Sequence, residues 1–98
     1  MTRDEIVAAL KSEEAAIRRY GATSLYLFGS AARDELGPDS DIDVFIEYDH
    51  AAKFTLLTLA GLQRYLGERL HREVDVCTRK GLHPRLRSEI ERSSIRII

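Results

Sequence analysis

The sequence predicts an α+β fold of two layers, a small mixed sheet of three strands packed with about four helices. Two short apolar runs lie close together along the chain, joined by a link too short for most parallel crossovers. A third run follows the second only after a whole amphipathic segment, as a right-handed parallel unit requires. The chain has 98 residues, 44% hydrophobic and 32% charged, which leaves room for one core and reads as a single domain over residues 1–98.

The elements follow in order. Thr2 with Glu5 three residues on forms a capping-box pattern, and Ile6, Leu10 and Ile17 then share one helical face, so helix is expected to about Tyr20, with Gly21 as its left-handed stop. Ser24–Phe28 is a short apolar run, and Asp41–Glu47 is a second, rich in β-branched and aromatic types; both read as strands. From Phe54 to Leu70 the leucines recur near helical spacing. Glu73–Cys77 alternates and reads as the third strand. Pro84 suits the first turn of a last helix running to about Glu91, followed by the apolar tail Ile95–Ile98, whose form the pattern leaves open.

Composition excludes several classes. No apolar run approaches the ~18 residues of a membrane span, and the cytoplasm is the default compartment. The lone Cys77 has no disulfide partner and, at the end of an alternating strand, reads as core. His50, His71 and His83 are scattered and read as solvated or capping groups. The net charge of -1 hides an asymmetry: residues 1–63 carry 6 basic and 11 acidic side chains, and residues 64–98 carry 9 basic and 5 acidic. A balanced total argues against a general nucleic-acid binder. The basic stretch Arg79, Lys80, Arg85, Arg87, Arg92 and Arg96 reads first as a solvated face and next as a surface for docking a protein.

Chemistry concentrates at the ends of one link. Gly29-Ser30 closes the first strand, and ten residues later comes Asp41-Ile42-Asp43. The period of two puts Asp41 and Asp43 on one face while Ile42 and Val44 point to the core. Asp75, flanked by Val74 and Val76, adds a third carboxylate level with Asp43. Adjacent carboxylates repel unless they are solvated, share a proton or hold a divalent cation, and hard oxygen donors of this kind suit Mg²⁺, which completes its shell with waters and substrate phosphates. A two-metal site is therefore expected. Gly29 allows close backbone approach, Ser30 offers a hydroxyl and an N–H at the start of a helical turn, and Arg33 lies one turn on, which together read as an anion cradle. Cradle and acids describe a site for a metal-bound nucleoside triphosphate.

Leu27-Phe28-Gly29-Ser30-Ala31-Ala32-Arg33, with Ser40-Asp41-Ile42-Asp43-Val44 and the late Val74-Asp75-Val76, resembles the polymerase-β-type nucleotidyltransferase superfamily, and in its shortness the minimal nucleotidyltransferases called MNT-domain proteins. The resemblance covers nearly the whole chain. It implies that Ser30 binds the triphosphate, that Asp41 and Asp43 hold both metals, and that Asp75 holds the catalytic metal and helps deprotonate the attacking hydroxyl. One departure is Asp34, where many relatives have glycine; it brings an extra carboxylate near the phosphates.

The leading expectation is an enzyme that moves AMP, or another nucleoside monophosphate, from a triphosphate to a hydroxyl while two Mg²⁺ ions clamp the attacking and leaving oxygens. The acceptor must come from another chain. The MNT resemblance implies that this chain is a HEPN-domain ribonuclease toxin, silenced by AMP attached to its tyrosine, with the present protein as antitoxin. The competing reading is a non-enzymatic module that neutralises its partner by masking it. An RNA-binding module using the basic tail ranks last.

Overall fold

The computed structural model describes all 98 residues. In chain order the elements are α1 (Arg3–Ser12), α2 (Glu14–Arg19), β1 (Ala22–Phe28), α3 (Gly29–Ala32), β2 (Ile42–Tyr48), α4 (Leu56–Leu70), β3 (Val74–Thr78), a 3-10 turn (Arg79–Gly81), α5 (Arg87–Ser93) and β4 (Ile95–Arg96). The sheet order is β3-β2-β1-β4; β1 runs antiparallel to both β2 and β4, and β2 runs parallel to β3. The fold is thus the expected α+β type, with four strands instead of three and five helices instead of about four.

The extra strand comes from the tail. Ile97 donates its N–H to Leu25 O at 2.8 Å, and Ile97 and Ile98 are buried against the sheet. Two β-branched residues thereby leave water as their amides find partners, and just before them Ile95 and Arg96 pair with Leu27 and Tyr26 as a short edge strand.

The expected first helix is broken in two. The Thr2–Glu5 capping box forms as the spacing predicts, and Gly21 takes a φ of +106° beyond the end. Between them Glu13 departs from helical backbone, and its carboxylate accepts a hydrogen bond from the Tyr65 hydroxyl at 2.5 Å. A contact reaching across to α4 fixes that joint. The last helix starts at Arg87, later than Pro84 suggests, because Pro84, Arg85 and Leu86 are held in a turn in which the Arg85 N–H donates to His83 Nδ1 at 3.2 Å and the Leu86 N–H to His83 O at 2.9 Å.

Leu25, Leu27, Ile42, Val44, Ile46, Val74 and Val76 form one face of the sheet and share a core with Ile6, Leu10 and Ile17 and with Leu62, Leu66 and Leu70 of α4. α4 is the crossover that makes β2 and β3 parallel, and it packs on β3. Its Gln63 Oε1 accepts the Val76 N–H at 3.0 Å. No helix is long and apolar enough to cross a membrane.

Candidate active site

The opposite face of the sheet carries the carboxylates. Phe28 pairs with Asp43 across β1 and β2, and Asp43 pairs with Asp75 across β2 and β3. The end of the first strand therefore lies beside the start of the second, and Asp75 is level with Asp43, both as the sequence predicts. Asp41 stands just before β2 and is exposed, as is Asp75, while Asp43 is half-buried.

The Asp43 carboxyl is raised above its ordinary value, first by burial and then by the negative charges of Asp75 and Asp41. No basic side chain relieves them: none of the ion pairs in the protein involves Asp41, Asp43 or Asp75. No three His, Cys, Asp or Glu side chains come together as a ready-made metal cage. A set of converging, unpaired carboxylates that is not closed fits Mg²⁺, which takes one or two protein carboxylates and fills its shell with water and phosphate oxygens.

Gly29 has a φ of +72°, and a Cβ built on it would stand 2.7 Å from Asp43 Oδ2. Glycine is needed here on two counts, backbone angle and space for a carboxylate. Ser30, half-buried, is the second residue of α3, and Arg33 ends that helix, exposed, with Nε 3.2 Å from Glu35 Oε2. Arg33 thus rests on its own neighbour and not on the acids. Asp34, at a φ of +58°, accepts the Arg3 N–H at 2.8 Å, so its carboxylate ties down the start of α1.

Residues 9–97 match the nucleotidyltransferase domain family. The chain belongs to that family. The nucleotidyltransferase is 35% identical over 98 residues to a Methanocaldococcus jannaschii protein provisionally named a protein adenylyltransferase, covering 98% of each chain. It is 30% identical over 83 residues to the protein adenylyltransferase MntA of Thermococcus cleftensis, covering 84% of this chain and 82% of that one. A solved structure provisionally described as a minimal nucleotidyltransferase superposes with a TM-score of 0.83 at 34% identity, covering 97% of this chain and 95% of the other. The fold alone is shared, at a TM-score of 0.64 and 18% identity, with a chain in the structure of a tri-AMPylated Shewanella oneidensis HEPN toxin in complex with its MNT antitoxin; 90% of this chain and 68% of that one are covered. The resemblance to minimal nucleotidyltransferases is therefore established, and the nucleotidyltransferase is an enzyme of the kind whose relatives are named protein adenylyltransferases.

Two residues beside the nucleotidyltransferase's acids were read differently from sequence. Cys77 is not core: it follows Asp75 by two, shares its face, is half-buried, and is pushed up to about 11 by burial first and then by Asp75 and Asp43. Arg79, read as part of a solvated face, lies over the rings of Tyr26 and Phe45 at 5.0 Å and 5.2 Å and donates to Glu91 at 2.5 Å. It roofs an aromatic layer in which Tyr26 and Phe45 stack at 4.7 Å. Nothing in the local pattern separates Arg79 from the other arginines; its partners lie on three other elements.

Proposed function

We propose that this nucleotidyltransferase transfers AMP from ATP to a hydroxyl of a partner protein, a tyrosine on a HEPN-domain toxin, and so acts as that toxin's antitoxin. The observation that carries the reading is the level pair Asp43–Asp75 with Asp41 beside it and Gly29 directly against Asp43. Three acids without cationic partners at the mouth of a Gly-Ser turn suit a triphosphate that arrives with its own charge compensation.

In this reading Gly29 and Ser30 receive the triphosphate, and Arg33 swings from Glu35 to its outer oxygens. Asp41 and Asp43 would hold two Mg²⁺ ions and Asp75 one of them. When bound, the ions neutralise phosphate charge and lower the pKa of the acceptor hydroxyl. The acceptor oxygen then forms a bond to the α-phosphorus as the bond from that phosphorus to the bridging oxygen breaks; the electron pair leaves with pyrophosphate. The hydroxyl proton passes to Asp75, which has no competing ion pair. Transfer to a protein agrees with the relatives named protein adenylyltransferases, and the HEPN partner with the toxin in the complex that shares the fold.

The carboxyl-terminal region would seat the partner. Arg85 and Arg92 are exposed and make no ion pair within the chain. Incubating the protein with labelled ATP, Mg²⁺ and the HEPN protein tests the proposal. Label on the partner supports transfer, whereas a tight complex without label supports the masking alternative.

A further inference from the structure

Arg72 stands where α4 hands over to β3, in a position set by a helix stop. His71 ends α4 in the left-handed conformation, at a φ of +54°, and turns the chain so that the Arg72 N–H donates to Gly67 O at 3.3 Å. Three residues later comes Asp75. The Arg72 side chain does not follow β3. It reaches sideways to the segment that leads into Asp41, where one terminal nitrogen donates both to Gly37 O at 2.5 Å and to Ser40 O at 2.8 Å.

Those two carbonyls belong to a closed turn. The Ser40 N–H donates to Gly37 O at 3.2 Å, and Ser40 Oγ accepts the Gly37 N–H at 3.3 Å. Two residues beyond Ser40, Ile42 donates its N–H to Glu73 O at 2.9 Å. The stretches that deliver Asp41 and Asp75 are therefore fastened to each other twice, once through backbone and once through a charged side chain. Arg72 lines a depression of about 340 Å³ with Asp39, Asp41 and Glu73, yet it forms no ion pair with them. Its donors go to carbonyl oxygens, which makes it a strut between main chains.

We propose that Arg72 is a positioning residue for nucleotidyl transfer, holding the Gly37–Ser40 turn against the start of β3 and so setting the separation of Asp41 from Asp75. The proposal rests on the reading of those two acids as site residues. It acts through geometry: a displacement of about 1 Å at a reacting group can cost about 100-fold in rate. Binding of the triphosphate over Gly29 and Ser30, on the other side of β2, is not its task.

Arg72→Met keeps the apolar stem and removes both donors, while Arg72→Lys keeps a cationic donor. The measurements are kcat and KM for ATP in the transfer assay, amide exchange at Ser40 and Ile42, and urea unfolding. In Arg72→Met, kcat should fall by about 10- to 100-fold with KM for ATP within about threefold. Ser40 and Ile42 should exchange faster, and Arg72→Lys should recover most of the rate. An unchanged kcat in Arg72→Met overturns the proposal, as does a loss that only tracks the fraction unfolded or a KM that rises as much as kcat falls. Arg72→Gln serves the same comparison if the Met variant does not fold. Should wild-type protein transfer no label, the functional reading fails, and amide exchange alone decides the strut: faster exchange in the variant upholds it and unchanged exchange overturns it.

Discussion

Gly29 and Asp43 face each other across the end of β1 and the start of β2 so closely that a Cβ on the glycine would stand 2.7 Å from Asp43 Oδ2. The carboxylate leaves no room for a side chain at residue 29, and the φ of +72° there separately disfavours any residue but glycine. Gly29→Ala should therefore destabilise the protein by about 1–3 kcal/mol, read as a shifted urea midpoint, and should impair transfer more than Ser30→Ala. An alanine variant with wild-type stability would show that Asp43 moves aside freely.

Ser30→Ala removes one hydroxyl and leaves the backbone turn in place. It should raise the ATP concentration needed for transfer, a loss of about 1–2 kcal/mol of phosphate binding. ATP titration of the two variants checks the assignment; undiminished affinity in both places the triphosphate elsewhere.

Asp43→Asn should reduce transfer at least about 100-fold while making the metal-free protein more stable at neutral pH. The sign follows from the raised carboxyl. Relative to the ordinary value of 3.8, the folded state holds the Asp43 proton more tightly than the unfolded chain does. Its contribution to stability is thus fullest below that value and is lost as pH rises through the raised one. Melting curves with and without the substitution should differ near pH 7 and converge in acid. Removing Mg²⁺ with a chelator should abolish transfer and leave the circular dichroism spectrum unchanged.

Cys77, pushed up to about 11 by burial and by Asp75 and Asp43, is a neutral thiol at physiological pH. Alkylation by iodoacetamide should stay slow at pH 8 and accelerate in the folded protein only in strongly alkaline buffer. Rapid labelling at pH 8 would contradict the burial and the neighbouring charges that suppress it.

Charge reversal at Arg85 and Arg92 together should slow modification of the partner severalfold at low salt and leave ATP binding unchanged, because exposed charges act mainly on association rate. Stopped-flow association with the partner measures this directly. An unaltered rate moves the docking face elsewhere.

Much of this arrangement was legible along the chain. Period two set Asp43 and Asp75 opposite the buried Ile42, Val44, Val74 and Val76, and the lengths of the links set the antiparallel and parallel neighbours that bring Phe28 and Asp75 level with Asp43, whereas Asp41, expected inside the second strand, stands one residue before it. What stayed hidden depends on partners far away in sequence. The break at Glu13 needs Tyr65, and β4 needs the open edge of β1. Arg72 and Arg79 are 2 of 12 arginines until the carbonyls and rings that they meet are in place. Cys77 lies two residues after Asp75 and so on the acids' face by the same alternation; its expectation as core rested on its apolar character and not on its register.

The hydrogen bond from the Val76 N–H to Gln63 Oε1 has a bearing on self-association. β3 is the outer strand on its side of the sheet, and an unguarded outer strand offers a ladder of amides to any extended chain that drifts past. Here the middle rung of β3 is already taken by a helix side chain, so strand-on-strand stacking from this side must first displace Gln63. Gln63→Leu would leave that buried rung without its acceptor, and the expected cost is turbidity on storage at high concentration as well as a lower melting point.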